Sequence, residues 1–349
     1  MSTLASDRVQ PLNDRGLCTE GRYVVYWMQQ SQRARHNPAL ERALRHANEQ
    51  GLPLLVVFGL TDDYSEANLR HYTFMLEGLR DTQQRLAERG LRMVVAHGRP
   101  DDVALDYADD AALLITDRGY LRHQKQWRAR VAERAPCRVE QVEGDVVVPV
   151  ETVTDKAEYA ARTIRPKIHE HLERCLNLPD RAPVEHPSRS LDVDDGLSLD
   201  DIGAVTDRLD LDRSVAPVSN LYPGGASEAE QILDRFLGEH LDGYDGNRNQ
   251  IHTRAVSHMS KYLHFGQISP VWLAQQVRSA DGPDSDIESY IEELVVRREL
   301  AMNHVHFRPD TYDAYDCLPD WAQESLAEHA DDEREHVYSR DQLEQSETH

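Results

Sequence analysis

The sequence predicts an α/β domain built on a parallel sheet, joined through a long linker to an all-helical domain. Three observations predict it. Near-continuous apolar runs alternate with amphipathic helical patterns between residues 21 and 176. Residues 177–226, including "PDRAPVEHPSRSLDVDDGLSLDD" and "LYPGGAS", turn rich in Pro, Asp, Ser and Gly, as linkers do. From 227 to 349 strand patterns disappear and helical ones take over. A chain of 349 residues also exceeds what a single core usually serves, so two domains fit its length.

Residues 1–20 are polar and irregular and read as a flexible arm. The strands expected next are "RYVVYWM", "PLLVVFGL", "LRMVVAHG", "ALLITDRG" and "VVVPV". Between them, "PALERALRHANEQG", "NLRHYTFMLEGLRDTQQRLAERG" and "HQKQWRARVAERA" carry the helical period. Gly51 and Gly90 stand where a left-handed C-terminal cap closes the first two of these helices. No GxGxxG or Walker signature follows the first strand, which weakens ordinary dinucleotide and NTPase readings. In the second half, Ser227 and Glu230 have the spacing of a capping box. Ser269 reads as an N-cap and Pro270 as a first helical residue, ahead of a stripe of Val271, Trp272, Leu273 and Val277.

Acidic residues outnumber basic ones, 62 to 39, for a net charge of −23, and the only lysines are Lys125, Lys156, Lys167 and Lys261. The acid is dispersed rather than gathered into a tail. An acidic partner-binding protein is one reading; adaptation to a salty cytoplasm, where screening removes self-repulsion, is the other and the expected one. A local arginine patch can still face phosphate in either case. No apolar run approaches 18 residues, so a soluble, cytoplasmic chain without a membrane partner is expected. Cys18, Cys137, Cys175 and Cys317 form no CxxC pair and read as reduced thiols.

Three segments carry candidate chemistry. In "SHMSKYLHFGQISP", Ser257 and Ser260 can place hydroxyls beside free backbone N–H groups around a phosphate, or simply cap a turn. In "GYDGNRNQIHTRAVSHMS", Arg248 can make forked phosphate contacts or stand as a solvated loop charge. In "YIEELVVRRELAMNHVHF", Glu293 and Arg297 are i,i+4 helix neighbours. They form either a surface ion pair or part of a half-buried functional cluster with Arg298. The histidine spacings, His304 with His306 and His252, His258 and His264, do not converge on one helix face, and no metal site is expected.

These stretches together carry a recognisable pattern. "YPGGASEAEQILDRFL", "YDGNRN", "SHMSKYLHFGQIS", "EELVVRRELAMNHVHFRPDTYD" and the C-terminal run "LPDWAQESLAEHADDEREHVYSRDQLEQSETH" resemble the class II photolyases, flavoproteins that repair cyclobutane pyrimidine dimers. "VVYWMQQSQRARHNPAL", "RHYTFMLEGL" and "EYAARTIRPKI" look like that family's antenna domain. The resemblance implies a Rossmann-like antenna domain and a helical FAD-binding domain. It implies light-driven repair of UV-damaged DNA by an electron from reduced FAD, and an antenna pigment of deazaflavin or folate type. Tyr244, Val256, Ser257, His258, Met259 and Ser260 correspond to FAD-binding positions. Met259 stands for the usual leucine and Lys261 for the usual proline. Arg248 corresponds to the arginine contacting DNA around the lesion, and Arg297 is assigned to the same surface. Glu293 corresponds to the catalytic carboxyl that hydrogen-bonds the dimer. It is expected either to donate a proton or to be balanced by Arg297 or Arg298.

The family continues well beyond "QSETH", and none of Trp27, Trp127, Trp272 and Trp321 stands at a family relay motif. The resemblance therefore implies a helical domain incomplete at its C-terminus. Alone the chain is expected to hold FAD weakly or not at all and to be inactive, being a gene fragment, an interrupted reading frame, or a partner for a second polypeptide that supplies the missing segment. The alternative function is a non-catalytic cryptochrome-like flavoprotein or DNA-binding remnant.

Overall fold

A computed structural model describes residues 5–348. Residues 1–4 of the expected arm, and residue 349, lie outside the described residues. Two units are separable, Met1–Phe307 and Arg308–His349.

The first unit contains the sheet. β1 (Val9–Pro11), β2 (Tyr23–Trp27), β3 (Leu54–Leu60), β4 (Arg92–His97), β5 (Ala111–Asp117) and β6 (Arg138–Val142) are ordered β1-β6-β5-β2-β3-β4. All neighbours pair in parallel except β1, which lies antiparallel on β6 with Val9 opposite Val142. Residues 5–20 of the expected arm thus include an edge strand. The buried Arg8 side chain fastens it by donating to the carbonyls of Glu143 (3.2 Å) and Val146 (3.1 Å).

The helices of this half are α1 (Pro38–Gln50), α2 (Leu69–Glu88), α3 (Pro100–Ala108) and α4 (Arg122–Arg134). They cover both faces of the sheet. Val24, Tyr26, Val56 and Ile115 join one core with α1 and α2, while Val25, Trp27, Leu55 and Leu114 join the core that includes Val103 and Val131. Burial on both faces is why these strands read as continuous apolar runs rather than alternating ones. Gly51 closes α1 in the left-handed region, φ 69°, and Gly90 follows α2 with φ 88°.

One expected strand is corrected. "VVVPV" forms no strand; Val146, Val147 and Val148 are buried in irregular backbone, and the Glu299 carboxylate accepts from the N–H groups of Val147 and Val148. The edge of the parallel run is instead "RVEQV", whose charge disguises it. Glu140 in its centre is fully buried because Arg42 and Arg138 reach it at 2.6 Å each.

α5 (Val150–Val153) and α6 (Ala161–Cys175) follow, and Ile164, Ile168 and Leu172 of α6 pack in one core with helices of the second half. Within residues 177–226, α7 (Ile202–Thr206) and buried Ala182, Leu199 and Leu209 anchor the linker to the sheet core. α8 (Ala226–Glu239) begins without the expected capping box. Gly225 precedes it at φ 127°, and Ser227 bonds to Asp81, while Arg85 grips Glu230 at 3.1 and 3.0 Å. The two residues tie α8 to α2 rather than closing on each other.

After α8 come α9 (Tyr244–Asn247), α10 (Ser260–His264), α11 (Pro270–Arg278), α12 (Asp284–Ile291) and α13 (Arg298–Phe307). Ser269 caps α11, accepting from the Trp272 N–H at 3.3 Å, with Pro270 at its first position. α12 runs into α13 without a break through a π-helical stretch, Glu292–Arg297. The helical and sheet portions of this unit meet at Gly266, φ 63°, where a Cβ would lie 1.6 Å from the Gln30 carbonyl oxygen. Arg33 seals that contact, donating to the carbonyls of Gly266 and Gly144 at 2.9 Å each.

In the second unit, α14 (Asp320–Glu328) and α15 (Arg340–Glu344) are short and bury none of their residues. Arg308 donates to the Cys317 carbonyl at 3.0 Å. Among the described residues no helix is long and apolar enough to cross a membrane.

Candidate functional site

A cavity of about 810 Å³ opens in the first unit, within the range usual for cofactor pockets. One wall comes from the helical portion: Tyr244, Ser257, Met259, Ser260, Tyr290 and Glu293. The other is set by residues at the carboxyl ends of the strands, including Met28, Gln29, Phe58 and Tyr120.

Local interactions fix the helical wall. Asp286 of α12 accepts from the N–H groups of Gly243 (2.9 Å) and Asp245 (2.7 Å), which places Tyr244 at the start of α9. Tyr244, Tyr290 and Phe236 pack as a trio of tilted and edge-to-face rings with centroids 5.3 to 5.7 Å apart. The Tyr290 hydroxyl donates to Ser257 Oγ at 2.9 Å, and Ser257 Oγ also accepts from the Met259 N–H at 3.4 Å. Burial pushes the Tyr290 phenol above its ordinary range, so it stays a donor. Met259 is buried beneath the turn, while Ser260 is exposed at the cavity and makes no hydrogen bond to the protein through its hydroxyl among the described residues.

Glu293 faces the cavity and pairs with Arg248, Nη1 to Oε1, at 2.9 Å. The expected Glu293–Arg297 pairing does not form. Arg297 bonds to Glu292 at 3.3 Å instead, and Arg298 turns away to Asp145 at 2.8 Å. The reason is the π-helical stretch. Its backbone bonds run from i to i+5 rather than i+4, which shifts the side-chain register and accompanies the i,i+5 pairing of Glu292 with Arg297. Glu293 is therefore balanced by neither Arg297 nor Arg298 but by a side chain from the loop after α9.

Of the nine residues singled out in the sequence, Tyr244, Ser257, Met259, Ser260 and Glu293 line one cavity. Arg248 joins them through Glu293. Val256, His258 and Arg297 lie outside the lining; Val256 and Arg297 are exposed, and His258 sits against the Tyr222 ring with centroids 5.5 Å apart. Tyr290 escaped the sequence reading because nothing local marks it as the partner of Ser257. The strand-end wall escaped it because those residues are contributed singly.

The cavity extends past the strand ends. There His123 contacts the Tyr64 and Trp127 rings edge-on at 5.0 and 4.9 Å. Gln124 donates to Gln30 at 2.7 Å. Several buried polar atoms have no protein partner: Gln29 Oε1 and Gln32 Oε1 on residues of the cavity wall, His123 Nε2, and Arg248 Nε behind Glu293. Hydroxyl donors on one wall, apolar and aromatic surface elsewhere and orphaned polar atoms at intervals fit a large aromatic cofactor carrying a diphosphate.

The model of the DNA photolyase family matches residues 24–188. The deoxyribodipyrimidine photo-lyase of Methanothermobacter thermautotrophicus is 46% identical over 347 residues, 99% of this chain and 75% of that protein. The enzyme of the same name from Potorous tridactylus is 36% identical over 343 residues, 96% of this chain and 63% of that one. Among solved structures, a Synechocystis cryptochrome superposes with a TM-score of 0.70 at 15% identity, covering 88% of this chain and 67% of its own. A class III photolyase from Agrobacterium tumefaciens does so with a TM-score of 0.64 at 18% identity, covering 83% and 60%. These two structural likenesses concern the fold.

Proposed function

This chain belongs to the deoxyribodipyrimidine photo-lyase family, and we propose that it repairs cyclobutane pyrimidine dimers in UV-damaged DNA under light, as a class II enzyme with FAD in the cavity. The observation that carries the proposal is the single wall on which the Ser257–Ser260 turn and the Glu293–Arg248 pair stand together.

Reduced FAD, when bound, supplies the electron that opens the dimer ring. The chain's own residues do the rest. Ser257 and Ser260, with the turn between them, hold the diphosphate, and Tyr244 packs beside it. The apolar lining excludes water, which strengthens every polar contact inside. Glu293 hydrogen-bonds the extruded dimer, and Arg248 offsets its charge so that a bare carboxylate does not oppose the anion developing on the lesion. A damaged base pair unstacks at lower cost than an intact one, which favours entry of the lesion over normal bases. Arg248 is also placed for the DNA backbone, and Arg297, exposed on the same helical run, is assigned to its outer reach.

The strand-end extension, with Tyr64, His123 and Trp127, is the proposed seat of an antenna pigment of deazaflavin or folate type. Ligands of open α/β sheets sit at the carboxyl ends of strands where the order reverses, here between β5 and β2. The test is direct. Protein reconstituted with FAD and reduced is mixed with dimer-containing DNA and illuminated. Loss of dimers in light and not in the dark is expected; FAD uptake without any light-dependent loss would sink the repair reading.

A further inference from the structure

Lys261, directly after the Ser257–Ser260 turn, is held in a way that the repair reading does not use. Its ammonium nitrogen lies 4.1 Å from the Tyr222 ring centroid and 5.0 Å from that of Tyr262, and it donates to the His258 carbonyl at 2.8 Å. The cage is built rather than incidental. Tyr262 is fully buried, and its hydroxyl donates to the Pro223 carbonyl at 2.9 Å, which fixes Tyr222 next to it. His258 packs its ring on Tyr222 and sits at φ 57°, a left-handed conformation that is unusual for a residue other than glycine. The residue that Lys261 grips is therefore the strained one at the middle of the turn. Lys261 does not itself line the cavity.

We propose that Lys261 is a positioning residue for flavin binding: its caged ammonium holds the His258 carbonyl and so keeps Ser257 and Ser260 aimed at the diphosphate. This rests on the FAD reading given above. Burial alone lowers the Lys261 ammonium to about 8, with no carboxylate beside it. The titratable groups around it are Tyr222, Tyr262 and His258, with His240, Glu77 and Glu228 behind them. Burial, Lys261 and His240 push His258 below its ordinary 6.5, and burial lifts Tyr262 above its ordinary 10. Within this cage, the interval from pH 7 to 9 thus falls to Lys261. The sign follows. A lowered ammonium means that the folded chain carries this charge at a cost relative to the unfolded chain. Lys261 holds the turn at the expense of stability, as strained functional sites do.

The experiment compares the chain with Lys261→Met and Lys261→Arg. Thermal unfolding of Lys261→Met is expected to occur at or above the wild-type temperature, because a partly desolvated charge is removed from a half-buried position. FAD affinity of the wild type, followed by flavin fluorescence, is expected to fall roughly tenfold as pH rises from 7 to 9. Lys261→Met should show the weaker affinity at both pH values, and Lys261→Arg, charged throughout, should stay tight and flat. An identical pH profile in wild type and Lys261→Met overturns the proposal. A second readout needs no flavin. The four lysines can be labelled by reductive 13C-methylation, and the Lys261 signal should titrate near 8 while the amides of residues 257–260 lose protection relative to their intrinsic, base-catalysed exchange rates. If wild type takes up no FAD but this titration and exchange are coupled, the cofactor reading fails and the clamp stands. If protection of the turn amides ignores both pH and Lys261→Met, the clamp itself is wrong.

Discussion

Arg248 and Glu293, from the loop after α9 and the π-helical stretch before α13, form an ion pair of 2.9 Å with the carboxylate facing the cavity. With Glu293 at the lesion and Arg248 at the DNA, as proposed above, the pair would make the two contacts energetically dependent on each other. Glu293→Gln should lower repair per absorbed photon far more than it weakens DNA binding. Arg248→Ala should lower both, and should reduce the slope of log affinity against log salt by about one. A double-mutant cycle on repair yield is expected to be non-additive, by roughly 0.5–1 kcal/mol for a pair this exposed. Strict additivity would separate the two roles.

The two serines of the turn should behave differently. Ser257→Ala removes the acceptor of the buried Tyr290 hydroxyl and should lower stability by about 1–3 kcal/mol along with FAD retention. Ser260 has an exposed hydroxyl, so Ser260→Ala should leave the unfolding midpoint in place while FAD stoichiometry falls. Equal stability losses in the two variants would contradict this division.

Glu299 links the irregular Val146–Val148 segment to α13. Burial lifts its carboxyl to about 8, against the downward pull of the Val147 N–H and of Arg298. Its folded value lies above its unfolded one, so its contribution is full below about 4.5 and is lost as pH rises through 8. Relative to Glu299→Gln, wild-type unfolding free energy should fall by ~1.4 kcal/mol per pH unit over that interval. Urea titrations at several pH values measure it, and parallel curves for the two proteins would remove Glu299 as the cause.

Gly266 is fixed by its left-handed backbone and by the Gln30 carbonyl, which a Cβ would overlap. Gly266→Ala should cost about 3 kcal/mol or more, the range of severe single substitutions. Calorimetry would show it, and an unchanged midpoint would mean that the contact relaxes freely.

The dispersed acid and the net charge of −23 should make stability depend on salt. Raising potassium chloride from 0.1 M to 2 M shortens the screening length from about 10 Å to about 2 Å and should raise the unfolding midpoint. A midpoint that is flat or falling over this range would discard the adaptation to high salt.

The sequence by itself determined what depends on neighbours within a turn or two. Continuous apolar runs gave the buried parallel strands, Gly51 its cap, Ser269 and Pro270 the start of α11, and the motifs gave the family. It also brought Tyr244, Ser257, Ser260 and Glu293 to notice. Only the tertiary structure decided their partners. Arg248 reaches Glu293, Tyr290 reaches Ser257, and Ser227 and Glu230 turn to α2 because burial on folding selects the bonds that leave fewest polar groups unpaired. The same selection put the charged "RVEQV" into the sheet and left the apolar "VVVPV" out of it. Buried Glu140 found Arg42 of α1 in addition to its strand neighbour Arg138, and the Val147 and Val148 amides found the Glu299 side chain of α13, from helices that no local pattern connects to them.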